Sequence, residues 1–202
     1  RGYVRMVAMP SDRDAQQTLA LYREVCALAK TAEEKKLVLS GLAKMGHPDA
    51  LEVIRPYLED NEVKEEAKLA AEAIQSATYQ TSASVASDAS ANAIDNDIET
   101  RWDTGVQQQP GQWFMLDLGW TGNVARIILD ASKSPQDYPR GYEVYISSNT
   151  ENWGEPVAKG EGKEPITVID CKNTKGRYIR IVQTGSADGW FWSIHELKVE
   201  AR

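Results

Sequence analysis

The sequence predicts a two-part chain, α-helical at the start and a β-sandwich of jelly-roll type thereafter. Three observations carry this. All six Trp and eleven of the fourteen Gly fall after Ala77, whereas the first part is rich in Ala, Leu, Glu and Lys. Apolar residues recur at helical spacing before that point. After it, short β-branched and aromatic runs are separated by Gly, Pro, Asn or Ser. The boundaries follow as a helical fragment over 1–76 and a sandwich over 78–202.

In the first part, Ser11 precedes a run with Leu19, Tyr22, Cys26 and Ala29 on one face. Thr31 followed by Glu34 is a capping box that opens a second helix, with Leu39, Leu42 and Met45 inward and a stop near Gly46. A third helix follows His47-Pro48-Asp49 and carries Leu51, Ile54 and Leu58. Pro56 lies inside it and predicts a kink, because its ring displaces one backbone hydrogen bond. The fourth carries Val63, Ala67, Ala70 and Ile74. Two helical hairpins of about thirty-odd residues each have the length of an α-solenoid unit, and the segment resembles HEAT-like repeats. Two units are few for independent stability, so the chain reads as a piece of something longer.

In the second part, QWFMLDLG, VARIILDA, GYEVYIS, ITVID, RYIRIVQT and IHELKVE read as the strands of an antiparallel sandwich. Between them lies AIDNDIETRW, residues 93–102, with carboxylates at Asp95, Asp97 and Glu99. An EF-hand is excluded: with Asp95 first, the sixth position is Thr100 rather than Gly and the twelfth is Val106 rather than Glu. A hydrolytic pair is poorly served by acids so close on one short loop, since such groups face each other about 5 Å or more apart. A solvated loop and a cation site remain. Ile94, Ile98 and Trp102 pull the segment against the core, which crowds the acids and favours a hard cation with about six to eight oxygen ligands.

The order AIDNDIETRW, QWFMLDLG, YPRGYEVYISSNTENW, GRYIRI, WFWSIHELKVE resembles the discoidin, or coagulation factor V/VIII type C, domain. Within that superfamily it is most similar to carbohydrate-binding modules of family 32. The resemblance implies a galactose-binding-like jelly roll with ligand loops at one end and a structural calcium ion. The implied ligands are Asp95, Asp97, Thr100, the carbonyls of Asn92 and His195, and Glu196; Glu99 points outward. Asn96 stands where the family usually has Gly, and Asn tolerates the left-handed turn.

For the ligand itself, the resemblance points to Asp103, Lys133, Asp137, Tyr138 and Trp190, an aromatic plate with charged groups as a sugar requires. Galactose-binding members have a His just after the loop tryptophan; Asp103 stands there instead, so galactose specificity does not carry over. Trp192 has core parity, and Trp102, Trp113, Asp117, Arg177 and Arg180 match framework positions.

The implied function is a non-catalytic module that binds a polysaccharide or other glycan. Its parent would be a larger extracellular, cell-surface or periplasmic protein, to whose other domains it could dock. The alternative is a structural or docking spacer with a degenerate sugar site. Composition excludes other classes. A net charge of −7 argues against nucleic acid, the −5 from Thr78 onward (twelve Lys and Arg against seventeen Asp and Glu) argues against a membrane surface, and Cys26 and Cys171 are isolated thiols.

Overall fold

The computed structural model describes Val7 and residues 13–201, apart from the side chain of Ser76. It divides into two compact units, residues 1–78 and 79–202.

In the first unit, α1 (Ala15–Leu28) is opened by a reciprocal capping box between Asp14 and Gln17, and it buries Leu19, Tyr22 and Val25. Ser11 lies outside the described residues. The α2 helix (Ala32–Met45) carries the Thr31–Glu34 box and stops at Gly46, whose φ of 60° is the left-handed cap. Pro56 does what its ring demands: α3 (Ala50–Ile54) gives way to a 3-10 turn at Arg55–Glu59. Of the expected inward face there, Ile54 is buried but Leu51 and Leu58 are only partly so. Val53, in the last turn of α3, and Tyr57, in the 3-10 turn, are buried instead. In α4 (Lys64–Thr78), Ala67, Ala70 and Ile74 are buried with Val63 just before it, as their spacing predicts.

The second unit begins with β1 (Gln80–Ala83), followed by a 3-10 segment at Ser87–Ile94 and the short β2 (Trp102–Asp103). Then come β3 (Trp113–Asp130), β4 (Tyr142–Ser147), β5 (Ala158–Gly160), β6 (Ile166–Gln183), β7 (Ser193–Ile194) and β8 (Glu196–Ala201). Their order is β1-β3-β6-β4-β5 with β8 also on β3, while β2 pairs with β7. All these pairings are antiparallel.

Two pairs of expected strands are each one long strand. QWFMLDLG and VARIILDA fuse into β3, and ITVID and RYIRIVQT fuse into β6. The Gly residues that read as a break are instead where the ladder shifts register, between Asp117 and Gly122. Such bulges bend a strand: the first half of β3 pairs with β1 and its second half with β8, while the second half of β6 pairs with β4, which carries β5.

Between the layers lies a core with Phe114, Leu116, Leu118, Ile127, Ile169, Ile179 and Ile181. Trp102 sits within it at 0% exposure, edge-on to Phe114 (5.0 Å) and Trp192 (5.1 Å). Its indole N–H donates to the carbonyl of Val85 (3.0 Å), which satisfies the ring's polar edge. Trp192 is equally buried, in agreement with its parity. The framework positions are structural as well. Arg177 grips Asp117 with two hydrogen bonds, and Arg180 lies over Trp113.

Candidate cation and ligand sites at the loop end

The acidic loop is built by short-range geometry. Asp95 Oδ1 accepts from the N–H of Asp97 (2.9 Å), and Asp97 Oδ1 accepts from the N–H of Glu99 (3.0 Å). Asn96 between them has a φ of 62°, the left-handed angle for which Asn substitutes for Gly. Thr100 is drawn into the same curl: its hydroxyl lies 2.7 Å from Asp95 Oδ2, 3.0 Å from the Asp97 carbonyl and 3.5 Å from the Asn92 carbonyl. One hydroxyl proton can serve only one of these oxygens well. The loop therefore concentrates oxygens from the four residues expected there.

The opposite wall comes from the other end of the unit. β8 pairs with β3 so that Glu196 lies across from Asp130, and Glu196 is 7% exposed. Its Oε1 is buried with no hydrogen-bond partner among the described residues. Burial, and then the negative charge of Asp95, push this carboxyl above the ordinary glutamate value, against a smaller pull from the Asn96 N–H. An orphaned buried carboxylate oxygen facing a second carboxylate and a turn rich in carbonyls fits a hard oxygen-loving cation. Among the described residues no three His, Cys, Asp or Glu side chains cluster as ligands by themselves. Carbonyls and the Thr100 hydroxyl would have to complete the shell.

His195 packs behind this loop. Its Nδ1 is 3.0 Å from the Ile98 carbonyl, its Nε2 is 3.2 Å from Ser134 Oγ, and its backbone N–H donates to Asp130. The Ser134–His195 contact lacks the features of a nucleophile dyad. The ring is 3% exposed, and Ser134 Oγ also accepts from the Arg101 guanidinium.

The expected ligand residues occupy the neighbouring loops in different ways. Asp103 is partly exposed; its two oxygens accept from Arg101 Nε (2.8 Å) and the Gly105 N–H (2.8 Å). Lys133 is exposed and ion-paired with Glu99, which does point outward. Asp137 lies below the surface: it accepts from Ser193 Oγ (2.7 Å) and stands 3.9 Å from Arg101. It braces Arg101 and is too covered to be a free hand for a ligand. Tyr138 is half-buried, one ring face covered by the Arg140 guanidinium at 3.8 Å. Trp190 follows Gly189 (φ 81°) at the loop tip and is 46% exposed, an uncommon state for so large an apolar ring.

Asp103 pairs with Ser193 in the β2–β7 ribbon, and the N–H of Gln108 donates to the Trp190 carbonyl. The segments 103–108 and 190–193 therefore run side by side. Arg101 joins Asp103, Ser134 and Asp137 beside them, and sequence reasoning missed it. Its signal was available: a cation two positions before an acid, on either side of the core Trp102, places both side chains on the same face of the strand.

A family model for the F5/8 type C domain matches residues 73–197. The chain belongs to the F5/8 type C domain family. A galactose oxidase of Gibberella zeae is 33% identical over 116 residues, 53% of this chain and 17% of that protein. The polysaccharide lyase 8 family protein HylA of Enterococcus faecalis is 30% identical over 95 residues, 45% of this chain and 6% of that protein. The chain thus matches less than a fifth of the length of these relatives.

Among solved structures, the family 32 carbohydrate-binding module of Clostridium perfringens NanJ, in complex with galactose, superposes with a TM-score of 0.53 at 24% identity. That match covers 62% of this chain and 95% of the module. A chitosan-binding module of a Paenibacillus chitosanase/glucanase gives 0.51 at 23% identity, covering 61% and 95%. At such identity the likeness is one of fold: the F5/8 type C sandwich of this chain has the fold of these modules.

Proposed function

We propose that residues 79–202 are a non-catalytic carbohydrate-binding module whose loop end captures a glycan and whose acidic loop holds a structural calcium ion. The observation that carries the first part is the exposed Trp190. A flat aromatic at the tip of a loop, next to a segment bearing charged side chains, suits a sugar's apolar face and its hydroxyl edge. Asp103 retains free lone pairs as an acceptor and Arg101 supplies donors, while Asp137 and Ser134 fix the guanidinium from below. Lys133 and the half-buried Tyr138 lie in the loop that also carries Ser134 and Asp137. The family, and the carbohydrate-active names of the relatives, support this reading. Asp103 at the place of the galactose binders' His directs the choice away from galactose.

Calcium would be held by Asp95, Asp97, Thr100 and Glu196 with the carbonyls of Asn92 and His195. Its charge would neutralise the buried Glu196 and tie the first loop of the sandwich to its last strand. A Kd of roughly 10⁻⁴–10⁻³ M, the range of extracellular modules, would be in keeping with a parent protein that works outside the cytoplasm. Docking to other domains of that parent is the remaining role the surface could serve.

A glycan array probed with the wild-type chain and with Trp190→Ala tests the reading. Binding of at least one glycan class, weakened tenfold or more in the variant, is expected. No retention of any glycan by the wild type, in calcium, would favour the spacer role instead.

A further inference from the structure

Two glutamine side chains inside the second unit are buried as deeply as its hydrophobic core: Gln108 at 1% and Gln183 at 0% exposure. Buried amides are costly unless each donor and acceptor is met. Gln108 meets all four. Its Nε2 donates to the carbonyls of Tyr138 (2.9 Å) and Phe191 (2.7 Å), and its Oε1 accepts from the Arg140 N–H (3.1 Å) and from the Gln183 amide. Gln183 Oε1 in turn accepts from the N–H groups of Gly141 (3.1 Å) and Gly185 (3.2 Å).

Backbone bonds complete the junction. The Gln108 N–H donates to the Trp190 carbonyl and its carbonyl accepts from Ala187, while Gln183 exchanges both backbone bonds with the 111–112 turn. The glycines belong to the same design. A Cβ on Gly185 would lie 2.7 Å from the Arg140–Gly141 backbone, and one on Gly141 would lie 3.0 Å from Gly185 N. Both positions need bare backbone so that the two chains can press together around the Gln183 oxygen.

Every partner of this pair lies in a loop that carries, or adjoins, a residue of the proposed ligand face: 138–141 with Tyr138, 185–191 with Trp190, and 103–112 with Asp103. We infer that Gln108 and Gln183 are positioning residues that lock these three loops into one rigid plate, so that the glycan meets a preformed site. The inference rests on the carbohydrate-binding reading for its consequence, though the lock itself does not. Preorganisation of this kind lowers the ordering cost of binding, and a buried amide network with this many bonds specifies one loop arrangement where a greasy core would tolerate several.

Hydrogen exchange and glycan binding on the whole chain, for the wild type and two variants, test it. Gln108→Met keeps the length of the side chain but removes every side-chain hydrogen bond. Gly185→Ala forces the two backbones apart and leaves both glutamines in place. In each, the amides of Arg140, Gly141 and Gly185 should exchange at least tenfold faster while those of Ile127 and Ile169 in β3 and β6 keep their wild-type rates. Affinity for an array-positive glycan should fall at least tenfold, and Ser186→Ala in the same exposed loop should change neither.

Should a variant fail to fold, the wild type decides. The Gln108, Arg140, Gly141 and Gly185 amides should share one protection level, and scattered, loop-like protection overturns the lock. Unchanged exchange in the folded variants also overturns it. Faster exchange with unchanged affinity overturns the positioning role while leaving glycan capture intact. A wild type that binds no glycan defeats the carbohydrate reading, and the exchange data still judge the lock.

Discussion

Glu196 is buried with one oxygen unpartnered and faces the carboxylate of Asp95. Two acids held in this way repel, and a cation between them turns a cost into a tether. At 1 mM, calcium that binds only the folded form with a Kd of roughly 10⁻⁴–10⁻³ M would add about 0.4–1.4 kcal/mol. The sandwich should therefore melt higher in millimolar calcium than in chelator by scanning calorimetry. Glu196→Ala should erase the difference; a wild-type melting curve indifferent to chelator would count against the site. The crowding of acids within 93–102 was legible in the sequence, because carboxylates at fixed local offsets need no tertiary knowledge, whereas Thr100 and the Asn92 carbonyl entered through the family resemblance. Glu196 was not readable from spacing. It is 101 residues from Asp95, and only the family resemblance brought the two together. Arg101 went unread because a cation beside a core tryptophan looks like ordinary surface until Asp137 and Ser134 fold over it.

Among the elements, helix ends were the most legible. The Thr31–Glu34 box, the Gly46 stop and the Pro56 break are local steric and hydrogen-bond events, and each stands where the sequence puts it. Strand extents were less so. Gly119 lies in a register shift within β3, Gly122 resumes the pairing after it, and neither is the strand's end, a distinction set by the partner strand β6. That same stretch holds the Asp117–Arg177 pair. Burial pushes the Asp117 carboxyl up, but the hydrogen bonds from Arg177 and the Gly119 N–H outweigh it and leave the group below its ordinary 3.8. A carboxylate that binds protons less readily when folded adds stability above its unfolded value, and loses it as pH falls through the depressed one. Asp117→Asn should cost about 1.5–3 kcal/mol at pH 7, the usual range for hydrogen bonds to a charged group. Urea unfolding should show that penalty shrink below about pH 4; a constant penalty would mean the charge is immaterial.

For the whole molecule, the physical statement is two separate cores. Val38, Leu39, Leu42, Ile54 and Ile74 belong to the helical unit, and Trp102, Phe114, Leu118, Trp192 and Ile194 belong to the sandwich. Residues 79–202 alone should therefore fold cooperatively and keep their calcium response, as circular dichroism melts would show; a non-cooperative melt would contradict this. Trp102→Ala should cost the sandwich about 3–5 kcal/mol, as expected for a buried aromatic, read from the same melts. The composition break at Ala77 made the two parts visible because helices and twisted sheets bury different residues. Which loops meet at one end of a jelly roll depends on long-range pairing, and so the neighbours of Trp190 were not readable from the sequence.

The central claim is that this loop end is where a glycan sits. Titration of ¹⁵N-labelled chain with an array-positive glycan, followed by NMR, tests it most directly. The account predicts shifts concentrated at the Trp190 indole, Arg101, Asp103, Tyr138 and the 105–108 backbone, with β5 and the 148–155 loop silent. Shifts centred elsewhere on the sandwich, or in the helical unit with Trp190 unmoved, would contradict it.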